Sequence, residues 1–435
     1  MNMMLPDAFI IRMRQQLGTE LSAFLCALNE PPVRGIRMNP LKKAGKTERY
    51  TAYEHIPWAD KAYYLPESSD AGSSVMHTAG AFYIQEPAAM LPAAILNALP
   101  GEKILDLCAA PGGKSTQIGC AMGGEGLLVC NDPVPRRAQV LSGNLERMGV
   151  PNTVVICATP DQIADRWPEA FDAVLVDAPC SGEGMFRRDP ETREEWTTEK
   201  AAGCAERQRE ILSAAARLVR PGGRLVYSTC TYNPAENEDN ARWFSDHFTE
   251  FHVMPFSLPG IDASDGMYTC YPHRLKGEGQ FAAAFRKDGN QKAEIPEDHS
   301  LQKPDITETR LFNAAFPEFP KATHKLGKTM VYCEQLPDLR GIRTFRAGLH
   351  LGEARGKTAI PDHAAALWFA MPQTRAIDLN SENVVKYISG ETVPGETEGW
   401  TLLRYQGLIL GWGKGSGGTI KNHYPKGLRN IRIIP

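Results

Sequence analysis

Between Glu102 and Cys230 the chain alternates short β-branched runs with longer stretches of helical periodicity, and no other feature narrows the fold as much. Strands are expected at Lys103–Leu107, Gly126–Asn131, Thr153–Ala158, Phe171–Asp177 and Gly223–Thr229, with a helix in each gap. The pattern is that of βα units in a parallel, doubly wound α/β sheet of the Rossmann-like kind. A late strand, Gly279–Arg286, is expected to close that sheet antiparallel to its neighbours.

The flanks differ. Ala8–Leu28 has helical periodicity, and Gly35–Leu41 with Ala62–Leu65 reads as strands of a separate α/β module. Lys287–Thr309 is polar, contains Pro296 and Pro304, and reads as a linker or exposed loop. Beyond it, Lys328–Cys333, Trp400–Tyr405, Gly407–Gly411 and Ile431–Ile434 are strand-like and spaced by turn residues, which suggests a small β-rich module. The expected division is therefore 1–95, 96–288, a linker at 289–309, and 310–435, within reach of a chain of 435 residues. With 42% hydrophobic and 23% charged residues, disordered and fibrous classes are excluded. Ten irregularly spaced cysteines without a C-x-x-C pair exclude a disulfide scaffold and suggest no metal. Met1–Ile10 lacks a signal-peptide pattern and no apolar run of membrane-spanning length occurs, so a reducing cytoplasm and no membrane association are expected.

Leu105–Ser115 reads L-D-L-C-A-A-P-G-G-K-S at the carboxyl end of the first core strand, where open α/β sheets bind ligands. Its tail resembles a phosphate-binding P-loop, but the glycine which that motif requires is Cys108 here. An S-adenosylmethionine loop fits better: glycines let the backbone approach the cofactor, and an acid at the next strand end, Asp132, is placed to hold ribose hydroxyls. Either feature alone would be a tight turn or a surface aspartate. Their order at consecutive strand ends favours the cofactor.

The fourth strand runs into D-A-P-C-S-G-E-G-M-F-R-R-D-P (Asp177–Pro190) and the fifth into Y-S-T-C-T-Y-N-P-A-E-N-E (Tyr227–Glu238). Each leaves one cysteine, Cys180 and Cys230, on the rim that carries the glycine loop. Structural thiols normally lie within strands or on helix faces, which is the reading for Cys26, Cys120, Cys130, Cys157, Cys204, Cys270 and Cys333.

D-L-C-A-A-P-G-G-K-S, D-A-P-C-S-G-E-G and S-T-C-T, in this order and spacing, closely resemble the RNA cytosine-C5 methyltransferases of the NOL1/NOP2/Sun family, and in particular the bacterial branch with a C-terminal extension that modifies 16S ribosomal RNA. The resemblance extends through R-M-N-P-L-K (Arg37–Lys42), G-A-F-Y-I-Q-E-P-A-A-M (Gly80–Met90), Y-P-H-R-L-K-G-E-G-Q-F (Tyr271–Phe281), G-W-G-K (Gly411–Lys414) and K-N-H-Y-P-K-G-L-R (Lys421–Arg429). It implies a class I S-adenosylmethionine-dependent methyltransferase domain between a small RNA-directed α/β domain and a PUA-like RNA-binding domain. It also implies roles: Cys230 as the nucleophile on carbon 6 of cytosine, Cys180 in product release and Asp177 at ring nitrogen N3. The positive charge of Lys114 is expected either to lower the thiol pKa or to orient one of these groups. Cofactor contacts are implied for Cys108, Ala109, Ala110, Pro111, Gly112, Gly113, Lys114, Asp132 and Asp177. Arg137 is read either as ordering the second-strand loop beside the cofactor or as a solvated helix charge. The family often carries an acid for adenine after the third strand; here Thr159 stands there, with Asp161 nearby, and Thr159, Asp161 or main-chain contacts are expected to take the acid's place in holding the cofactor.

Arg187 and Arg188 are read either as phosphate contacts near a flipped base or as an ordinary charged loop. Tyr83, Gln85 and Glu86 are expected to shape the pocket entrance. Near the C-terminus, Lys414, Lys421, Lys426 and Arg429 surround Trp412, His423 and Tyr424, a phosphate-attracting and base-stacking combination. Residues 1–50 carry 8 Lys+Arg and 4 Asp+Glu, residues 401–435 carry 6 Lys+Arg and no acid, and the rest is left at −13 against −3 overall. The expected partner is ribosomal RNA or the 30S subunit, met by a monomer. A transfer RNA or 23S rRNA target, or a catalytically silent RNA-binding assembly factor, stays open as an alternative.

Overall fold

The computed structural model describes residues 4–42, 48–368, 371–372, 376–430 and 432–434. The chain opens with helices Asp7–Leu17 and Leu21–Leu28, followed by a three-stranded antiparallel sheet of β1 (Arg34–Met38), β2 (Ala62–Leu65) and β3 (Phe82–Gln85), with β1 central. Leu41 lies beyond the end of β1, so that strand is shorter than expected.

The core sheet holds β4 (Lys103–Asp106), β5 (Leu127–Asn131), β6 (Thr153–Cys157), β7 (Phe171–Asp177) and β8 (Val219–Thr229), all parallel. Their β-branched runs are buried from both sides, as a parallel sheet clothed by helices on each face requires. Helix Pro135–Met148 shows how the sequence sets the covering layer. Proline opens it, Gly149 ends it in a left-handed conformation, and Ala138, Leu141, Leu145 and Met148 form one buried stripe. Then come β9 (Phe251–Val253), a hairpin of β10 (Phe256–Leu258) and β11 (Ile261–Ala263), β12 (Met267–Cys270) and β13 (Gln280–Lys287). β13 runs antiparallel to β8, which places the expected closing strand where sequence put it.

The C-terminal third builds two further sheets. β14 (His324–Leu326), β15 (Thr329–Tyr332), β17 (Leu349–Arg355) and β18 (Thr358–Pro361) form one; β19 (Ala376–Asp378), β20 (Val393–Pro394), β21 (Gly399–Tyr405), β22 (Leu408–Ser416) and β23 (Thr419–Asn422) form the other. Between β15 and β17 the chain sends β16 (Arg343–Ala347) across to pair antiparallel with β6, giving the core sheet the order β12-β13-β8-β7-β4-β5-β6-β16.

Two expectations are corrected here. The stretch 289–309 is no free linker: Asp298 is buried and accepts backbone N–H groups from Ser300, Leu301 and Leu339, Lys103 Nζ donates to Ala293 O, and Glu297 bridges Pro337. Of the expected strand Ile431–Ile434, Ile431 lies outside the described residues and Ile434 bridges Ser74 instead of joining the C-terminal sheet. The N-terminal sheet and the last sheet share one core, in which Ile36, Val75 and Phe82 pack with Tyr387, Leu410 and Ile420. No helix among the described residues is long and apolar enough to cross a membrane.

Candidate active site

The carboxyl ends of β4, β7 and β8 converge on a cleft of about 280 Å³ lined by Tyr83, Gln85, Glu86, Asp106, Cys108, Lys114, Asp177, Arg188, Cys230 and Gln280 among others. The loop after β4 lines it through Cys108–Pro111 and passes by Gly112 into helix Gly113–Ala121. Gly112 sits at φ +110, and a Cβ there would stand 3.0 Å from Leu141 Cδ1, so only glycine fits. The loop is tied down from outside: Ala109 N donates to Asn131 O, Arg137 Nη2 to Ala110 O, and Asn144 Nδ2 to Pro111 O.

Asp132 ends β5 almost wholly buried, accepts Val134 N at 3.0 Å and lies 3.4 Å from Arg137 Nη1. Thr159 is exposed; its Oγ1 accepts Gln162 N and its own N–H meets Gln162 Oε1, a capping box for helix Pro160–Arg166. That hydrogen bond caps the helix. Asp161 pairs with Arg217 on the surface.

One carboxylate was missed. Asp106 is fully buried at the end of β4, Ser115 Oγ donates to its Oδ2 at 2.6 Å, and Oδ1 has no partner. Burial pushes its pKa up to about 7, against the hydrogen bond from Ser115. It is the aspartate of L-D-L-C-A-A-P, and its place two residues before Cys108 was the available signal.

Asp177 closes β7 with both oxygens engaged: Lys114 Nζ lies 2.7 Å from Oδ2, while Ser228 Oγ and Gln280 Nε2 donate to Oδ1 at 2.6 and 3.3 Å. Burial alone would lower the Lys114 pKa, but the Asp177 charge overrides it and the net shift is upward, so the ammonium persists. Cys180 and Cys230 meet with 3.2 Å between their sulfurs, and Cys230 N donates to Cys180 Sγ at 3.3 Å. The Cys180 thiol is pushed well above its ordinary pKa by the hydrogen bond with Cys230 and by burial. Close approach beneath the pair depends on Gly184: its N–H donates to Cys230 O at 2.9 Å, and a Cβ there would reach 2.7 Å from Gly279 Cα.

The entrance residues are structural as well as lining. Glu86 is buried and accepts N–H groups from Ala88, Ala89 and Glu278, with its pKa raised by burial. Gln85 Nε2 donates to Ala89 O. Arg187 and Arg188 part company. Arg187 is buried, pairs with Glu278 at 2.8 Å and donates to Ala27 O and Gly277 O, which corrects its reading as a phosphate contact. Arg188 is exposed and lines the cleft. The N-terminal helices brace the cysteine loops, with Phe9 and Phe24 packed among Phe186, Trp196, Tyr232 and Tyr271, and Arg12 paired with Glu183 at 2.6 Å.

On the last sheet, Trp400, Lys414 and Lys421 lie in register across β21, β22 and β23, with Lys414 Nζ 5.6 Å from the Trp400 ring centroid and His423 against the same ring. Lys426 and Arg429 are exposed nearby. Tyr424 is buried against Tyr387 and His363, and Trp412 against Phe316 and Phe319, so neither is the stacking surface expected of it.

Four family models match consecutive stretches of the chain: the N-terminal domain of 16S rRNA methyltransferase RsmF at 5–87, 16S rRNA methyltransferase RsmB/F at 93–286, the RsmF rRNA methyltransferase first C-terminal domain at 311–369, and the methyltransferase RsmF PUA domain at 374–430. Ribosomal RNA small subunit methyltransferase F of Salmonella paratyphi A is 32% identical over 460 residues, covering 97% of this chain and 96% of that protein, and its counterpart from Klebsiella pneumoniae (strain 342) is 32% identical over 463 residues with the same coverage. Among solved structures, a methyltransferase homolog protein from Pyrococcus horikoshii is 30% identical with a TM-score of 0.57 over 65% of this chain and 95% of that one. NSun6 from Pyrococcus horikoshii with SFG shares the fold at 20% identity, with a TM-score of 0.57 over 66% of this chain and 99% of that one. The fold is that of a class I S-adenosylmethionine-dependent methyltransferase flanked by an N-terminal and a PUA domain. With identity at this level over nearly its whole length, the chain belongs to the ribosomal RNA small subunit methyltransferase F family.

Proposed function

We propose that the chain methylates carbon 5 of cytosine in small-subunit ribosomal RNA, acting as a monomer in the cytoplasm. The observation that carries this reading is the meeting of two thiols from separate strand ends, 3.2 Å apart, beside the Asp177–Lys114 pair and the glycine loop. The residues suit S-adenosylmethionine. The backbone of Cys108–Lys114 approaches it, Asp132 takes the ribose hydroxyls, and the unpartnered Oδ1 of Asp106 suits a cationic amine. Bound there, the cofactor supplies an electrophilic methyl group on a sulfonium centre.

The chain's own residues make carbon 5 reactive. The Cys230 thiolate adds to carbon 6, forming a carbon–sulfur bond and moving the ring double-bond electrons toward carbon 5. The proton given up by the Cys230 thiol goes to ring nitrogen N3, and Asp177, oriented by Lys114, Ser228 and Gln280, accepts the hydrogen bond of the resulting N3–H, so that no net negative charge builds up on the ring. After methylation the carbon 5 proton must leave; its electrons re-form the ring double bond and the carbon 6–sulfur bond breaks to return the Cys230 thiolate. Cys180 takes that proton as a thiolate. In the free protein its hydrogen bond with Cys230 and burial hold the Cys180 proton in place; once Cys230 is tied up in the adduct its side-chain hydrogen bond and charge no longer do so, and the Cys180 proton passes to water before the carbon 5 proton is taken. Arg188 meets the flipped nucleotide's backbone, and the Trp400–Lys414–Lys421 row binds RNA farther out.

Methyl transfer from labelled cofactor to 16S rRNA or 30S subunits tests the proposal. Cys230→Ala is expected to abolish both transfer and adduct, and Cys180→Ala to leave RNA covalently attached on a denaturing gel. An active Cys230→Ala protein refutes the assignment.

A further inference from the structure

The two catalytic loops leave different strands, and something must hold their cysteines in contact. Glu236, six residues after Cys230, is fully buried. Its carboxylate receives four hydrogen bonds, all from neutral donors: Ser181 N at 2.9 Å and Gln208 Nε2 at 3.0 Å on Oε2, and Ser181 Oγ and Asn233 Nδ2 on Oε1. Gln208, from helix Thr198–Leu218, also donates to Pro179 O at 3.0 Å. The backbone on both sides of Cys180 is therefore anchored on one carboxylate and the glutamine that supports it. Ser181 Oγ completes the link at 2.9 Å from Thr231 Oγ1, next to Cys230.

We infer that Glu236 is a positioning residue that holds Cys180 against Cys230, and that it does so more tightly on the Cys180 side. The carboxylate holds Ser181 directly, by two hydrogen bonds, and Pro179 through Gln208. The tie to Cys230 runs through one hydroxyl pair and the short chain between Cys230 and Asn233. Loss of the carboxylate therefore misplaces the release cysteine before the nucleophile. The inference rests on the roles proposed above for the two cysteines.

Glu236→Gln keeps the shape but turns one acceptor into a donor facing two donors, so at least one bond to the loops must fail. In the full-length protein, kcat should fall roughly 10- to 100-fold, as for a displaced catalytic group, with KM for RNA within about twofold. Covalent protein–RNA adduct should accumulate on denaturing gels as it does in Cys180→Ala. Ser181→Ala, which keeps the backbone tie but cuts the hydroxyl link, should accumulate adduct to a lesser level, and decides the matter if Glu236→Gln does not fold. A folded Glu236→Gln protein with wild-type turnover, or one slowed without adduct, overturns the inference, as does Ser181→Ala without adduct when it is the deciding variant. If Cys180→Ala itself gives no adduct, the roles of the cysteines fail instead, and the two failures are distinct.

Discussion

Arg187 and Arg188 are adjacent in the chain and opposite in fate. Arg187 and Glu278 are each nearly inaccessible, so Arg187→Ala leaves a buried charge without its counterion and should cost about 3–5 kcal/mol in denaturant unfolding. Arg188→Ala should leave stability within about 0.5 kcal/mol while raising KM for RNA, since its side chain is exposed on the cleft. Asp106 gives a pH-dependent contrast. Its folded pKa of about 7 lies above its ordinary value, so the folded state holds the proton more tightly than the unfolded chain. The cost of ionising it is absent below ~4, grows as pH rises toward 7, and is then constant. Asp106→Asn should therefore be more stable than the parent in urea at pH 8, show no gain at pH 4, and bind cofactor more weakly by calorimetry. The cysteines, Asp132, Asp177 and the glycine loop were legible because their chemistry is tied to strand ends and local motifs. Arg187 was not, because its partner lies 91 residues away.

At the level of elements, the core strands and helices followed from periodicity, whereas β16 did not. R-T-F-R-A carries two arginines in five residues and looks like a surface segment. Its value lies in pairing: Arg343↔Cys157 through Ala347↔Val154 cover the β6 edge, and Arg346 is buried against Glu146. The same C-terminal segment adds Val331, Cys333, Leu336, Leu339 and Ala347 to the catalytic core. Burial of a large aliphatic side chain contributes about 1.5–3 kcal/mol, so losing this group is comparable with the ~5–15 kcal/mol stability of a whole domain. A chain ending at residue 309 should consequently show no cooperative thermal transition by calorimetry. A sharp transition near that of the full chain would mean that β16 is dispensable. Removing the C-terminal part therefore cannot isolate an RNA-binding effect, and point variants are the proper probe.

For the whole molecule the net charge of −3 conceals a basic N-terminal segment and a basic C-terminal segment. The last sheet shares a core with the N-terminal module, so these two segments belong to modules packed together. Lys414→Glu with Lys421→Glu should weaken RNA binding and reduce the slope of log affinity against log salt by about 1.4–1.8, while cofactor affinity is unchanged. An unaltered slope would place RNA elsewhere. The sequence by itself determined the strand order's raw material, the glycine loop, the acids at two strand ends and both cysteines, because backbone periodicity and short motifs are local properties. Only the tertiary structure decided that the cysteines touch, that Glu236 anchors their loops, that Arg187 and Tyr424 face inward, and that a strand from the C-terminal third completes the catalytic sheet. Each of these depends on contacts between residues far apart in the chain, and whether a polar side chain meets water or a buried partner is settled by packing rather than by its neighbours in sequence.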